Sequence, residues 1–572
     1  MIEKENPGKA HLRVAVLCAV GMAALSLVIL AGCGLVGEEW TQIEWYSVYF
    51  EKYYPRWMEK FERDHADENV RIRFRAMVGG TEQMVYTMLI SHTLPDCIGI
   101  GPQTSALLLE NPVLEPLTEE DFDVSSVPQL SIRLASQADG ALVGYPQQLN
   151  MRPFIYFNRE AFREAGTNLS EVPETFDEYK KWAAQLFKWR IGNETFVGRP
   201  PEGRMDKAEM LRRPIGMIRG FAWSAIPLTT SYMDPMPDED GTSDGSVDDF
   251  YGGPPSGRPF RFDTPEFKRG LREYRDLYLP KDTAVADGDT NRVRGFKEGI
   301  YAGAEGSNWI YGEVFTIDMQ ITRLPRPKGR ERRVWMYSSA IGVSKESRHK
   351  ELAKEFAAFI TRPESQIDAY YGHGYLPTNF KAWEMLRRDD SQDKEIRKRF
   401  LETPEIESDR YVGVPAIKRV NHESMEVYLY VPHPSDQNIL TASRPAAGDE
   451  TEPAVSVTEG VPAKAAAYRG IARDLALKIG EFTGLDVHVF VQGTPEEMIP
   501  ARSFVIESPV PVYADLLDDG IYVPVGKTWN RLQSEVISRM CQFVTRALEP
   551  ISVDEAAEWA QQEAEDIVAG RK

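Results

Sequence analysis

Leu142–Phe162 reads LVGYPQQLNMRPFIYFNREAF. Leu142 to Tyr145 is apolar and ends at Pro146, and Phe154 to Phe157 is an aromatic, β-branched run that favours extended chain. Between them stand Gln147, Gln148, Asn150 and Arg152. The pattern predicts a strand, a polar turn, a second strand and a helix start. Burying unpaired amides is costly, so a polar cluster between two apolar strands needs a reason. One reading is a solvated loop. The other is a crossing between two lobes, with the polar groups facing a cleft.

Working outward, Thr41–Val48 predicts a first strand, and Tyr53, Tyr54, Trp57 and Phe61 then recur at helical spacing. Val70–Met77 alternates as a second strand, Gly79-Gly80 ends it, and Thr81 is placed to cap a helix reaching about His92. Pro95-Asp96 opens a third strand, Cys97–Ile100. This βαβ succession favours a parallel sheet, in which ligands sit beyond the carboxyl ends of the strands. That rule nominates Tyr46, the Gly79–Glu82 turn with Thr81 and Glu82, and the Gly101–Thr104 loop with Gln103.

Downstream, Thr175 and Glu178 have capping-box spacing. Gly220–Trp223 is an apolar island within an irregular stretch, and Asp238–Asp249 is an acidic loop. Calcium in that loop is one reading, but the spacing is not that of an EF-hand, and a solvated loop is favoured. Val334–Val343 predicts a strand, and Leu352, Phe356, Phe359 and Ile360 a helix ended by Pro363. Residues 441–463 have the composition of a linker, and 464–525 are treated as an insertion. The chain ends in two helices, the second started by Ser552 with Glu555 and turning Trp559, Ile567 and Val568 inward.

A chain of 572 residues suggests two or more lobes. The formal charge of −20 argues against nucleic acid as partner. The 24 Tyr and 11 Trp supply core and also flat stacking faces. Residues 1–32 have a basic start (Lys4, Lys9, Arg13) and an apolar run, Leu12–Leu30, which reads as a targeting segment. An uncleaved membrane anchor is the other reading of that run. It ends in Leu30-Ala31-Gly32-Cys33, which resembles the bacterial lipobox; the resemblance implies cleavage before Cys33 and a lipid on its sulfur. Of the 4 Cys, at 18, 33, 97 and 541, the last two are expected to be buried free thiols, and no metal spacing exists.

No HExxH or GxSxG motif occurs. Gly520–Thr528 (GIYVPVGKT) nearly mimics a phosphate-binding loop, but it has one residue too many between its glycines, and Pro524 lacks an amide donor. The expectation is a protein without catalysis, cofactor or metal.

Lipobox, βαβ start, GYP…FIYFNREAFREAG, VPETFDEY, FKEGIYA, GSNW and IGVSKES follow one another in an order that resembles extracellular solute-binding proteins of family 1, the oligosaccharide-binding lipoproteins of ABC importers. Lys350–Phe356 (KELAKEF) is similar to a helix of maltose-binding protein. The resemblance covers about 41–430 and the final two helices. It implies an α/β, two-lobed periplasmic-binding-protein-like fold (type II), each lobe a mainly parallel sheet flanked by helices, with the ligand cleft between.

The implied division is a signal peptide (1–32), a lipidated tether (33–40), an N-lobe from 41–153 and 339–415, and a C-lobe from 154–338 and 416–572 interrupted at about 441–525. Crossings are expected near 152–156, 337–343 and 412–420. The implied function is a monomeric protein, lipid-anchored on the extracytoplasmic face of the cell membrane, that captures an oligosaccharide by hinge closure and delivers it to permease subunits. The alternatives are an extracellular carbohydrate-active enzyme and a carbohydrate sensor or adhesion protein. Ligand-binding residues implied by position are Asn150, Arg152, Trp223, Trp309 and Tyr375, beside Tyr46, Thr81, Glu82 and Gln103. A sugar's CH face suits an aromatic ring, and its hydroxyls suit amides and Arg.

Overall fold

The structure is a computed structural model that describes residues 40–48, 54–77, 81–137, 139–168, 172–198, 208–217, 222–236, 246–254, 256–278, 286–288, 291–311, 319–401, 416–432, 438–443, 455–457, 476–494, 510–514, 520–522, 527–545 and 551–571. The targeting segment and Cys33 therefore lie outside the described residues.

Three sheets organise the chain. The first holds β1 (Thr41–Ser47), β2 (Val70–Ala76), β3 (Cys97–Ile100), β4 (Gly144–Arg152), β12 (Val334–Val343), β13 (Leu376–Pro377) and β19 (Gly520–Ile521). The second holds β5 (Phe154–Asn158), β6 (Lys188–Ile191), β7 (Glu194–Val197), β8 (Glu209–Met217), β9 (Ala286–Gly288), β10 (Tyr301–Gly306) and β11 (Met319–Arg323). The third holds β14 (Ala416–Asn421), β15 (Ser424–Pro432), β16 (Asn438–Ser443), β17 (Val455–Val457) and β18 (Asp486–Thr494).

The βαβ start forms as its pattern requires. β1 pairs in parallel with β2 and β3. The helix Tyr54–Asp64 buries Tyr54, Trp57 and Phe61, spaced three and four residues apart, against Trp45 and Phe356. The opposite face of the sheet packs Val85, Ile98, Ile100 and Leu108. β2 is an edge strand whose Arg71, Arg73 and Arg75 alternate with inward residues and keep that edge soluble. The second lobe's core gathers Phe157, Tyr179, Trp182, Phe267 and Leu271 with Met540 and Ala556 of the C-terminal helices.

Both large sheets are mixed rather than mainly parallel. β12 runs antiparallel to β3 and β4, and β5 runs antiparallel to β10 and β11. A strand that enters a sheet from the other lobe arrives at the opposite end from the βαβ strands, so it runs against them.

The opening stretch is a crossing without a turn. β4 is one continuous strand through Gln147–Arg152 in the first sheet, and β5 starts at Phe154 in the second. The polar residues stay extended because β12 and β13 pair with β4 on either side; tertiary pairing overrides their weak strand preference. β12 belongs to the first sheet from Val334 onward, so the second passage falls before the expected 337–343. Residues 402–415 lie outside the described set, and Ala416–Asn421 forms β14 of the third sheet rather than a crossing. That sheet begins upstream of the expected insertion, and residues 441–443 and 455–457 of the expected linker are strand. Two described segments further on return to the lobes: in 510–514 Tyr513 reaches the core beneath Phe154 and Tyr156, and in 520–522 β19 pairs with β12.

The third sheet is anchored on the first lobe. Asp368, fully buried, accepts from Trp57 Nε1 (3.0 Å), Arg56 Nη1 (3.2 Å) and the His422 backbone N–H (2.8 Å), and His422 Nδ1 lies 2.8 Å from it. Beside it, buried Arg419 meets Asp393 at 3.0 Å and Asp389 at 3.4 Å.

Cys97 and Cys541 are free and sit in the cores of different lobes, too separate to pair. Burial pushes both thiols up, so they stay protonated. The capping box at Ser552–Glu555 forms in both directions, at 2.8 and 3.1 Å. Ile567 is buried and Trp559 packs on the core, but Val568 is exposed, because it falls on the outer face of its helix.

Candidate functional site

β3 stops at Ile100, paired with Ala340. Beyond that level β12 continues back through Ser339, Tyr337 and Trp335 with β4 beside it, joined by β19 at Val334–Trp335. The β4–β12 ribbon thus projects past the carboxyl ends of β1 and β3, where open α/β sheets hold ligands. At roughly 3.3 Å per residue, Asn150 opposite Tyr337 lies about 10 Å beyond the end of β3.

Alternation divides the ribbon into two faces. Leu149, Met151 and Met336 turn into a core shared by both lobes, with Phe154, Tyr156, Ile321, Tyr370 and Tyr513. Gln148, Asn150 and Arg152 share the other face with their register partners Ser339, Tyr337 and Trp335. The Arg152 guanidinium lies 5.4 Å from the Trp335 ring and 5.7 Å from that of Tyr337, which fixes the lower end of this face.

The upper end is buried and polar. Gln148 is 1 % exposed, Asn150 0 % and Ser339 1 %. Neither atom of either carboxamide, nor the Ser339 hydroxyl, has a hydrogen-bond partner among the described residues. Each such group costs roughly 1–3 kcal/mol. Tyr337 and Arg152 are half-buried, so solvent meets the face from that end.

Both lobes cover the ribbon. The helix Gln129–Arg133 of the first lobe packs against β4 and β12, and its Ser131 hydroxyl is another buried group without a partner among the described residues. Arg133 of that helix donates to the Tyr522 hydroxyl at 3.3 Å, and Tyr522 in turn accepts from Val247 N–H of the second lobe at 2.8 Å. The helix Ala222–Thr230 of the second lobe also packs against β12.

Asn308 ties the lobes together at the other edge of β4. Its Oδ1 accepts from Met151 N–H at 2.8 Å, and its amide donates to Gly374 O at 2.7 Å. Gly374 sits at φ +74°, and a Cβ there would lie 2.5 Å from Asn308 O, so the approach requires glycine. Nearby, the Tyr156 hydroxyl donates to Ser307 O at 2.8 Å and lies 3.0 Å from the Tyr513 hydroxyl. Burial pushes both phenols up, so they remain neutral hydrogen-bonding groups.

Of the residues nominated from sequence, Asn150 and Arg152 come together on the ribbon face. Trp309, half-buried, packs against the shared core just beyond Asn308, and Tyr375 follows Gly374 with its ring 6.1 Å from that of His373. Trp223 lies in the first turn of the helix Ala222–Thr230; its side chain is outside the described set. Tyr46 is buried in the first-lobe core with Arg75 5.0 Å from its ring. Thr81 begins its helix and its hydroxyl donates to Met77 O at 3.4 Å rather than capping; Glu82 and Gln103 are exposed.

Gln148, Ser339, Tyr337 and Trp335 were not nominated. Gln148 becomes visible once 144–152 is read as one strand, two residues before Asn150. The β12 residues carried no signal, because only register places them. Residues 238–245 of the acidic loop are outside the described set. Asp249 there meets Arg258 at 3.2 Å, Ser246 donates to Asp248, and among the described residues no group of acidic, His or Cys side chains is disposed to hold a metal.

Two mixed sheets joined by crossing strands, with buried amides on the joining ribbon that meet no partner among the described residues, define the class of two-lobed binding proteins. Residues 56–396, more than half of the chain, match the family model for bacterial extracellular solute-binding proteins, and the chain belongs to that family. Among curated proteins none matches. The GacH receptor of Streptomyces glaucescens, solved unliganded and with acarbose, is 13% identical, with a TM-score of 0.55 over 93% of this chain and 99% of that one. The maltotriose-binding protein of Thermus thermophilus, bound to maltotriose, is 12% identical, with a TM-score of 0.53 over 93% and 100%. Lmo0181 of Listeria monocytogenes, in complex with cycloalternan, is 13% identical, with 0.53 over 93% and 100%. These structures share the two-lobed, maltose-binding-protein-like α/β fold.

Proposed function

We propose that this chain is a lipid-anchored, extracytoplasmic binding protein that captures an oligosaccharide by closing its two lobes and presents it to ABC permease subunits. It breaks and forms no covalent bond in its ligand. The observation that carries the reading is the pair of buried carboxamides of Gln148 and Asn150, without partners among the described residues, on the ribbon that joins the lobes. Sugar hydroxyls donate and accept at once, which is what orphaned amides need. Arg152 and the rings of Trp335 and Tyr337 continue the face, and aromatic rings suit the apolar faces of a pyranose. Family membership and the saccharides held by structures of the same fold support the ligand class. The sequence around Cys33 supports the anchor. On this reading the N-lobe carries the first sheet and the C-lobe the second, and closure is a hinge motion about the β4–β5 passage and its partners.

Titration of the intrinsic tryptophan fluorescence with neutral and acidic oligosaccharides tests the proposal. At least one should bind at micromolar concentration, and Asn150→Ala should weaken it. Flat titrations across the panel count against saccharide capture. Mass spectrometry of the membrane-extracted protein should find diacylglycerol on Cys33.

A further inference from the structure

We infer that Gln148 and Ser339 form a second recognition rung of this cleft, which pairs with uncharged ligand hydroxyls. The inference rests on the binding reading above and extends it to two residues and to the chemistry of the ligand part they meet.

The two side chains stand opposite one another in register, one rung inward from Asn150 and Tyr337. A register shift between Ser339 and Ala340 closes the face there, and Ala340 joins the first-lobe core beside Ile100. Their neighbours on the ribbon's other face are at least partly satisfied within the protein. The Gln147 amide nitrogen donates to the Tyr54 hydroxyl, although its oxygen meets no partner among the described residues, and Ser338 donates to Gln148 O at 3.3 Å. Gln148 and Ser339 are as deeply buried, yet the amide nitrogen and oxygen of one and the hydroxyl of the other find nothing among the described residues. Gln148 and Ser339 differ in that every side-chain polar atom of both is unmet among the described residues, and they lie side by side on the face that carries Asn150 and Arg152. They are disposed to meet something that arrives.

What arrives must supply both donors and acceptors. A carboxamide offers two N–H donors and an acceptor oxygen, and a hydroxyl offers one donor and two lone pairs. Adjacent hydroxyls of a sugar ring match that set, and an apolar group does not. Neither side chain carries charge, so this rung selects a neutral part of the ligand. On this face of the ribbon the charged side chain is that of Arg152, two strand rungs away, at roughly 13 Å from the Gln148 level. The same chemistry gives an energetic signature. A buried group that is unpaired in the ligand-free protein and paired in the complex lowers the stability of the ligand-free form and raises affinity. An isosteric apolar side chain reverses both effects.

The test uses the full chain with Gln148→Met and Ser339→Ala, singly and together. Two readouts are taken: the melting temperature of ligand-free protein, and the affinity for neutral oligosaccharides, with maltotriose as the first probe. The expected result is a ligand-free melting temperature raised by about 1–3 °C for Gln148→Met, with affinity lowered about 5-fold or more. A lowered melting temperature with unchanged affinity assigns the pair to packing and overturns the inference. A raised melting temperature with unchanged affinity overturns its recognition half. If wild type binds none of the neutral oligosaccharides, the saccharide reading fails; a ligand-free melting temperature that does not rise then overturns the orphaned-rung assignment as well.

Discussion

Asp368 and Asn150 are both completely buried polar side chains, each on an element that runs toward the junction of the lobes. Asp368 is surrounded by donors from Arg56, Trp57 and His422. Both polar atoms of the Asn150 amide lack a partner among the described residues. Burial is the same and satisfaction is opposite. A buried charge with donors converging on it holds parts of a structure together. A buried amide with none among the described residues is open to a partner from outside the protein. The first region fastens the third sheet to the first lobe, and the second marks the cleft.

Four substitutions probe that contrast, in falling order of effect. Asp368→Ala leaves the Trp57 N–H and the His422 backbone N–H without their acceptor, while Arg56 keeps Glu423, and should cost about 3 kcal/mol, read as a lowered urea midpoint. It should also free the 416–494 region for limited proteolysis. A loss below about 1 kcal/mol would place Asp368 outside the anchoring set.

Glu164→Gln should cost about 1–2 kcal/mol at neutral pH, because the half-buried carboxylate bridges Arg212 at 2.6 Å and Lys188 at 2.8 Å. Burial opposes ionisation of Glu164, but the bonds from Lys188 and Arg212 outweigh it and hold its pKa below the ordinary glutamate value. A depressed folded-state pKa stabilises the protein above the ordinary value, and that stability is lost as pH falls through the depressed one. The gap between wild type and Glu164→Gln should therefore shrink on acidification, and urea denaturation at several pH values reads it. A gap that widens toward acid would reverse the assignment.

Gln147→Leu removes the bond to the Tyr54 hydroxyl and should cost about 1 kcal/mol, with ligand affinity unchanged. Asn150→Leu, three residues along the same strand and on the other face, should leave the ligand-free stability within about 0.5 kcal/mol of wild type or slightly raised, while abolishing most saccharide binding. If Gln147→Leu and Asn150→Leu behave alike in both assays, the distinction between anchoring and ligand-facing polar groups fails.

Much of the fold was legible in the chain. The run Val70–Ala76 shows its two-residue period, and Tyr54, Trp57 and Phe61 show a helical one, because each buries a single face against a neighbour close in sequence. The crossing at Arg152–Phe154 was legible because an aromatic strand directly follows a polar one. Its polar half was misread as a turn, since nothing local shows that β12 and β13 flank it from about two hundred residues away. The third sheet was hidden for the same reason. β15 pairs in parallel with β18 across more than fifty intervening residues, and β14 docks on a helix through charges that look like ordinary surface charges in sequence.

The site divides in the same way. Asn150 and Arg152 could be nominated because they interrupt an otherwise apolar stretch. Tyr46 could be nominated by the strand-end rule but packs into the core instead, since its strand face meets Ile98 and Met77 rather than solvent. Ser339, Tyr337 and Trp335 sit in a strand whose sequence reads only as apolar and small.

Hydrophobic period and capping chemistry are local, so the sequence by itself determined the strands and helices of the first lobe, the passage between the lobes and the polar character of that passage. Which face each polar side chain takes depends on register, and whether it is satisfied depends on atoms from distant segments. Only the tertiary structure could therefore decide that Asp368 and the Gln147 amide nitrogen are bound within the protein, while the side chains of Gln148, Asn150 and Ser339 meet no partner among the described residues.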